Sequence, residues 1–309
     1  MKIVDKFVPP HPLKTPVLFL VFNRPDTTKQ VFEAIRKAKP PRLYVAADGA
    51  RETKEGEAEK VKAVRKYIME NIDWECEVKT LFREQNLGCK MAVSGAIDWF
   101  FENEEMGIIL EDDCLPSQSF FWFCEELLER YNDDERIFLI SGYNKQNSWK
   151  KETNDYFFSQ FGGIWGWASW RRAWSHYDIE MKDIDAFIEQ NHFQNLLGKK
   201  LGKIRQDSIY NSIVVNNMDT WDYQWAYARH KNSGMACVPS VSLIENIGFG
   251  EDATHTFGHN TDNVKKHEIK WPLKENRFIV ADRKYDELFI RPVNIFSKII
   301  NKLIKKDVE

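Results

Sequence analysis

Three carboxylates in succession, Glu111-Asp112-Asp113, follow directly on the apolar run at 107–110 (GIIL). Adjacent acids repel one another unless positive charge sits among them. A divalent cation supplies it: hard oxygen ligands suit Mg²⁺ or Mn²⁺, and either ion can also bridge a diphosphate. Asp113, or else Asp112, would be the direct ligand. The other reading is that the acids cap the following helix, whose dipole favours negative charge at its start. Two more apolar runs end in polar groups of interest. Residues 43–47 stop at Asp48-Gly49, which is also what a turn looks like, and 17–22 (VLFLVF) stop at Asn23-Arg24-Pro25, which is also a helix lead-in. Ligands of open α/β sheets bind outside the carboxyl ends of the strands. Taken together, the three exits bring to one sheet edge an Asp that can accept from a base N–H, an Arg that can reach a base or phosphate, and a cation site.

Such an edge requires strands that alternate with helices. Residues 17–22 read as a strand buried on both faces, followed by a helical pattern to about 39 with Asp26 or Thr27 as N-cap. Strands are expected at 43–47, 77–82, 107–110 and 137–140, and helices at 57–71, 91–101 and 120–131. This alternation implies an α/β fold with a mostly parallel, doubly wound sheet and helices on both faces. From about residue 146 the chain is aromatic-rich and irregular, with helices expected near 184–190 and 204–216. That part is expected to pack on the sheet instead of forming an independent domain. The expected division is a first half at 14–145, a second at 146–287 and a basic amphipathic tail at 288–309.

Composition narrows the classes. The chain has 309 residues, 43% hydrophobic and 29% charged, and a net charge of −3, so no global positive field draws it to nucleic acid. Tryptophan occurs 11 times, where about 4 would be usual. The five cysteines, Cys76, Cys89, Cys114, Cys124 and Cys237, form neither a CxxC pair nor a zinc spacing, which suits a reduced, cytoplasmic chain. The first residues lack the apolar core and small-residue cleavage site of a secretory signal, and nowhere do 18 apolar residues run together. Phe296, Ile299, Ile300, Leu303 and Ile304 share one helical face near the end, where five basic residues from Arg291 onward stand against two acidic ones. This is the pattern of a peripheral contact with anionic lipid at the inner face of a membrane, and equally of a surface helix docked on its own domain. P-loop, GxSxG and HExxH motifs are absent from the sequence.

The order of these motifs resembles the GT-A nucleotide-sugar transferases, and within them the inverting N-acetylglucosaminyltransferase I-like group. Residues 87–90 (LGCK) lie between the DG and EDD exits. Further on come Phe161-Gly-Gly-Ile-Trp-Gly-Trp, Thr220-Trp-Asp-Tyr-Gln-Trp, Ala236-Cys-Val-Pro, Gly248-Phe-Gly and His255, so the likeness covers roughly residues 15–260. It implies a GT-A, Rossmann-like fold with an aromatic-rich acceptor side, a UDP-sugar donor, and a glycan or glycolipid acceptor. On these positions it implies nucleotide contacts from Asn23, Arg24, Asp48 and Lys90, with Glu111 and Asp112 beside the sugar and ribose. Asp113 would hold the Mn²⁺ or Mg²⁺, with His255 as a further ligand or diphosphate contact, and Asp222 would be the catalytic base. The chain departs from the pattern at Tyr223, where a second acid would follow Asp222, and at Ser94, where a base-contacting His is expected.

The chemistry implied is a single displacement in which Asp222 takes the proton of the attacking hydroxyl. Asp207, Asp219 and Glu251 are rival bases. Trp165 and Trp167 flank Gly166, and aromatic faces beside a small residue could form a sugar platform. Trp170 and Trp174, at helical i, i+4 spacing, suit core packing, and Arg171-Arg172 a solvated helix end. A sugar-1-phosphate nucleotidyltransferase would use the same sheet and metal but places a Gly-rich loop after its first strand, and VFNRPDTT contains no Gly. A non-catalytic carbohydrate-binding protein would explain the tryptophans but not the acids.

Overall fold

A strand of five apolar residues has no side to show to water, and β1 (Val17–Val21) is buried along its whole length in the computed structural model, which describes residues 7–248 and 264–290. Pro25, whose ring presets a helical φ, opens α1 (Pro25–Ala38). The helix therefore starts ahead of Asp26 and Thr27, the expected caps. Arg24 holds the N-cap position without a side-chain cap, and Thr28 Oγ1 donates back to its carbonyl at 2.6 Å. The alternation continues through β2 (Arg42–Ala47), α2 (Glu57–Glu70), β3 (Glu77–Phe82), α3 (Gly88–Asn103) and β4 (Met106–Glu111). A short β5 (Cys114–Pro116) precedes α4 (Ser119–Arg130) and β6 (Ile137–Ser141). Because β5 intervenes, Glu111-Asp112-Asp113 do not cap α4. Glu268 does, accepting from the Gln118 and Ser119 N–H groups at 3.0 and 2.8 Å.

The second half contributes β7 (Tyr156–Ser159), β8 (Trp167–Trp170), the short α5 (Arg171–Trp174), α6 (Ile184–Glu189), α7 (His192–Leu197) and α8 (Lys199–Ile209), which runs on as a π-helical turn over Tyr210–Val215. α9 (Asp222–Lys231), β9 (Met235–Pro239), β10 (Ile244–Asn246) and α10 (Arg283–Ile290) follow. Among the described residues one sheet of eight strands has the order β3-β2-β1-β4-β8-β6-β9-β7, and β10 pairs with β5 in a separate ribbon. The β3/β2, β2/β1, β1/β4 and β6/β9 pairings are parallel, while β8 runs against both β4 and β6, and β7 against β9. The second half thus enters the sheet itself instead of packing on it. Its strands are short, and WASW shows no continuous apolar run, so nothing in the sequence marked β8 as a strand.

Both faces of the sheet are covered, as the alternation of β1 shows. Val17, Phe19 and Val21 join a core with α1, α2 and α4, whereas Leu18 and Leu20 join a core with α3, α5 and α9. The register sets Val21 beside Ala47 and Leu20 beside Glu111, so the exits of β1, β2 and β4 lie on one edge. Trp170 and Trp174 are buried, but Trp170 ends β8 and the two do not share a helix face. Arg172 is no solvated helix end, since its guanidinium donates to the carbonyls of Tyr131, Asn132 and Ile137 at 2.8–3.0 Å. No helix among the described residues is long and apolar enough to cross a membrane. The basic tail falls outside the described residues from 291 on, and α10 runs through the expected boundary at 288.

α10 is fastened to the end of β7 by Asp286, which accepts from Ser159 Oγ at 2.6 Å and from the Gln160 N–H at 3.1 Å. Its other oxygen, Oδ2, is buried without a partner. Burial therefore pushes its pKa up to about 6, against the two hydrogen bonds. The folded value lies above the unfolded one, so the fold prefers the protonated acid. Its contribution is full below about pH 4 and is withdrawn as pH rises through about 6. Asp286→Asn should therefore gain stability relative to the parent chain between pH 5 and pH 8 in paired thermal melts. A constant difference across that range would contradict this.

Candidate active site

The three strand exits open into a cavity of about 550 Å³. Arg24, Asp48, Glu111, Asp112, Asp113 and Asp222 are among the residues that line it. The positive charge that the acid run requires comes first from the protein: Arg24 Nη1 donates to Asp113 Oδ2 at 2.8 Å and lies 3.6 Å from Asp112 Oδ1. Burial works against the charge on Arg24, but Asp112 and Asp113 outweigh it and hold its pKa above the usual value. One guanidinium does not balance three acids. Burial and the charge of Asp113 push the pKa of Asp112 up to about 7, against Arg24 and the Phe22 N–H. Glu111 is raised well above the ordinary range by burial and by Asp113, Asp112 and Asp222, with Arg24 opposing them.

This excess of desolvated negative charge fits a divalent cation, which would replace protons on the acids. Among the described residues no three His, Cys, Asp or Glu side chains are arranged as a metal cage. The fit is accordingly to an ion such as Mg²⁺, which one or two carboxylates hold while phosphate and water complete its shell. The chain comes close on the far side of Asp113: a Cβ at Gly248 would stand 2.2 Å from Asp113 Oδ2, so only glycine fits there.

Asp48 lies in the cavity wall, but its oxygens are already engaged by Asn86 Nδ2 at 3.0 Å and by the Leu87 and Gly88 N–H groups at 3.0 and 3.2 Å. It fastens the loop that leads into α3. Asp219, weighed as a base, performs a related task 130 residues away in sequence. It accepts from the Cys89 and Lys90 N–H groups, both at 2.9 Å, where Leu87 at the N-cap has no acceptor to offer. Lys90 does not line the cavity, and it is its backbone N–H that is used here. Asn23 does line it, tied through Nδ2 to Glu57 at 2.8 Å. Ser94, at the place where a His was expected, donates to the Lys90 carbonyl. His255 and Glu251 fall outside the described residues.

Asp222 is the first residue of α9, and Thr220 Oγ1 donates to its Oδ1. Together with Trp165 and Ile164 it lines both this cavity and a second one of about 460 Å³. Trp165 packs on Tyr143 with ring centroids 4.6 Å apart. Trp167 does not serve as a platform: in β8 alternate side chains face opposite ways, and it is 0% exposed, stacked 5.7 Å from Trp221 in the core. Gly166 is also buried. With φ of 61° beneath Ile244 it turns the chain into β8 and does not open the backbone to a ligand.

Arg51 and Arg83 line the cavity without having been singled out in the sequence. Arg51 pairs with Glu57, and Arg83 Nη1 donates to the Ala92 carbonyl at 3.1 Å. Each stands just past a strand, so the rule that picked out Arg24 and Asp48 reaches them too.

No family model and no curated protein matches the chain. Solved structures do match. TarS residues 1–349 from S. aureus aligns over 75% of this chain and 59% of its own, at 10% identity and a TM-score of 0.41. GlyE of Streptococcus pneumoniae TIGR4, described as a glycosyltransferase, aligns over 96% and 64%, at 14% identity and a TM-score of 0.33. HddC from Yersinia pseudotuberculosis aligns over 41% and 60%, at 10% identity and a TM-score of 0.29. The chain thus spans about 60% of the length of each of these three structures. At these scores none of the three assigns a role to a residue here, and the reading of the site rests on its own geometry.

Since Asp219 fills the office of an N-cap for α3, Asp219→Ala should lower stability by about 1 kcal/mol. Asp219→Asn, which keeps an acceptor oxygen, should lower it by less. Thermal or denaturant unfolding of both variants checks the order, and equal losses would contradict the cap.

Proposed function

We propose that the protein is a metal-dependent, inverting glycosyltransferase that moves a sugar from a UDP-sugar to a hydroxyl of a glycan or glycolipid. The observation that carries this reading is the position of Asp222 in the wall between two cavities, the first rich in buried acids and the second lined by aromatic and basic groups. A transferase with no enzyme nucleophile requires one base between donor and acceptor. The non-catalytic carbohydrate-binding reading loses its main support, because Trp167, Trp174, Trp221 and Trp225 pack on one another within the core. The loop between β1 and α1 is only Phe22-Asn23-Arg24, too short for the Gly-rich phosphate loop of a nucleotidyltransferase.

In the proposed reaction the Asp222 carboxylate accepts the proton of the acceptor hydroxyl. The hydroxyl oxygen bonds to the anomeric carbon as the bond from that carbon to the diphosphate oxygen breaks, and the electron pair leaves with UDP. Attack from the face opposite the leaving group inverts the anomeric centre. The hydrogen bond from Thr220 Oγ1 restrains the carboxylate, which lines both cavities. Asp113, with Asp112 beside it, would hold the Mg²⁺ or Mn²⁺, which when bound neutralises charge on the departing diphosphate. Arg24 places a fixed cation at the same spot. Location at the inner face of a membrane, through the basic tail, belongs to the same proposal and rests on sequence alone.

Calorimetric titration with UDP, with and without Mn²⁺, tests the donor reading. Binding is expected only with the ion, and Asp113→Ala is expected to weaken it at least tenfold. Absence of binding under both conditions would overturn the uridine assignment.

A further inference from the structure

The second cavity is built for charge. It opens on the far side of Asp222 and Trp165, and Arg205 of α8 and Arg229 of α9 both line it. Arg229 is only 2% exposed, yet its Nε and Nη1 have no hydrogen-bond partner. Arg205 Nε donates to His230 Nε2 at 3.2 Å, and His230 is itself buried with Nδ1 unpartnered. Among the described residues no carboxylate forms an ion pair with either guanidinium. Asp222 is the acid whose charge reaches Arg205. Burial lowers Arg229 to about 9, with Arg205 adding to the effect, and it keeps His230 neutral.

Buried guanidiniums are ordinarily paired, since an uncompensated charge out of water is strongly destabilising. A buried guanidinium with nitrogens left unsatisfied, beside a half-buried one on the same cavity wall, asks for an anion from outside. The guanidinium fork matches a carboxylate or phosphate in geometry as well as charge. Trp165, Tyr143 and Tyr223 on the same cavity give a sugar ring aromatic surface to lie against.

We propose that the second cavity binds an acceptor that carries an oxyanion, the carboxylate of an acidic sugar or a phosphate on a sugar, against Arg229 and Arg205. The identification of this cavity as the acceptor side rests on the transferase reading above, whereas the anion site rests on the arginines alone. The attacking hydroxyl would then belong to a sugar held by its charge, beside Asp222.

The test is titration of the full chain with methyl β-glucuronide, glucose 6-phosphate and neutral methyl β-glucoside, by calorimetry and by thermal shift, without nucleotide. At least one anionic probe should bind ten times more tightly than the neutral glycoside and raise the melting temperature. The tighter of the two tells carboxylate from phosphate. Arg229→Met should weaken that binding at least tenfold and should melt no lower than the parent, because it removes an unpaired buried charge. Should that variant not fold, Arg205→Met is to show the same loss. Equal affinity for charged and neutral probes would overturn the proposal, and so would anion binding unchanged in the folded variant. UDP binding combined with either of those results would leave the donor reading standing, whereas anion binding without UDP binding would do the reverse.

Discussion

A buried run of acids at the end of a central strand is the constraint around which the site is arranged. Glu111 ends β4, whose preceding residues are buried between its neighbours in the sheet, and the buried Asp112 and half-buried Asp113 come next. Arg24 answers them from the exit of β1, the strand paired with β4. This pairing ties the start of α1 to the acid loop. Gly248 allows the returning chain to pass against Asp113, and the β5/β10 ribbon fixes that return, with the Ile247 N–H donating to the Asp113 carbonyl. Positive charge is still short after Arg24, and burial and the neighbouring acids make Glu111 and Asp112 hold protons at pH values where exposed carboxyls have lost them. A cation with a diphosphate would satisfy the same deficit.

The framework of the first half was legible because β1, β2, β4 and β6 are largely apolar runs that lead into polar groups, although β3 (EVKTLF) mixes polar and apolar residues. Every strand expected there is present, with no boundary shifted by more than one residue, and β5 is the addition. The strands of the second half were not legible. β7, β8 and β9 are short, and β8 carries a Ser between its tryptophans, so local pattern says little and the pairing is decided by neighbours distant in sequence. Trp167 is hidden for that reason: as part of β8, which is covered on both faces, it lies in the core, while Trp165, just before the turn at Gly166, lines the cavities.

Roles that depend on distant partners were equally hidden. Nothing near Asp219 in sequence reveals that it caps α3, and Asp48 looks free to meet a base until the Leu87 and Gly88 N–H groups are seen on it. The tryptophan surplus, which suggested sugar platforms, is spent mainly on an interlocked core between β8, α5 and α9. That core holds the start of α9 in place, and with it Asp222. Arg229 and His230, later on the same helix, are also buried, His230 against Phe161 and Phe193, so one helix brings together the acid in the shared wall and the unpaired cation beyond it.

The central claim is that Asp222 acts as the base between the two cavities, and Asp222→Asn tests it most directly. The measurement is UDP release from UDP-sugars, made beside donor affinity on the same folded protein. The account predicts donor affinity close to that of the parent chain and UDP release lowered by about 100-fold or more. Release at the parent rate with intact binding would contradict it.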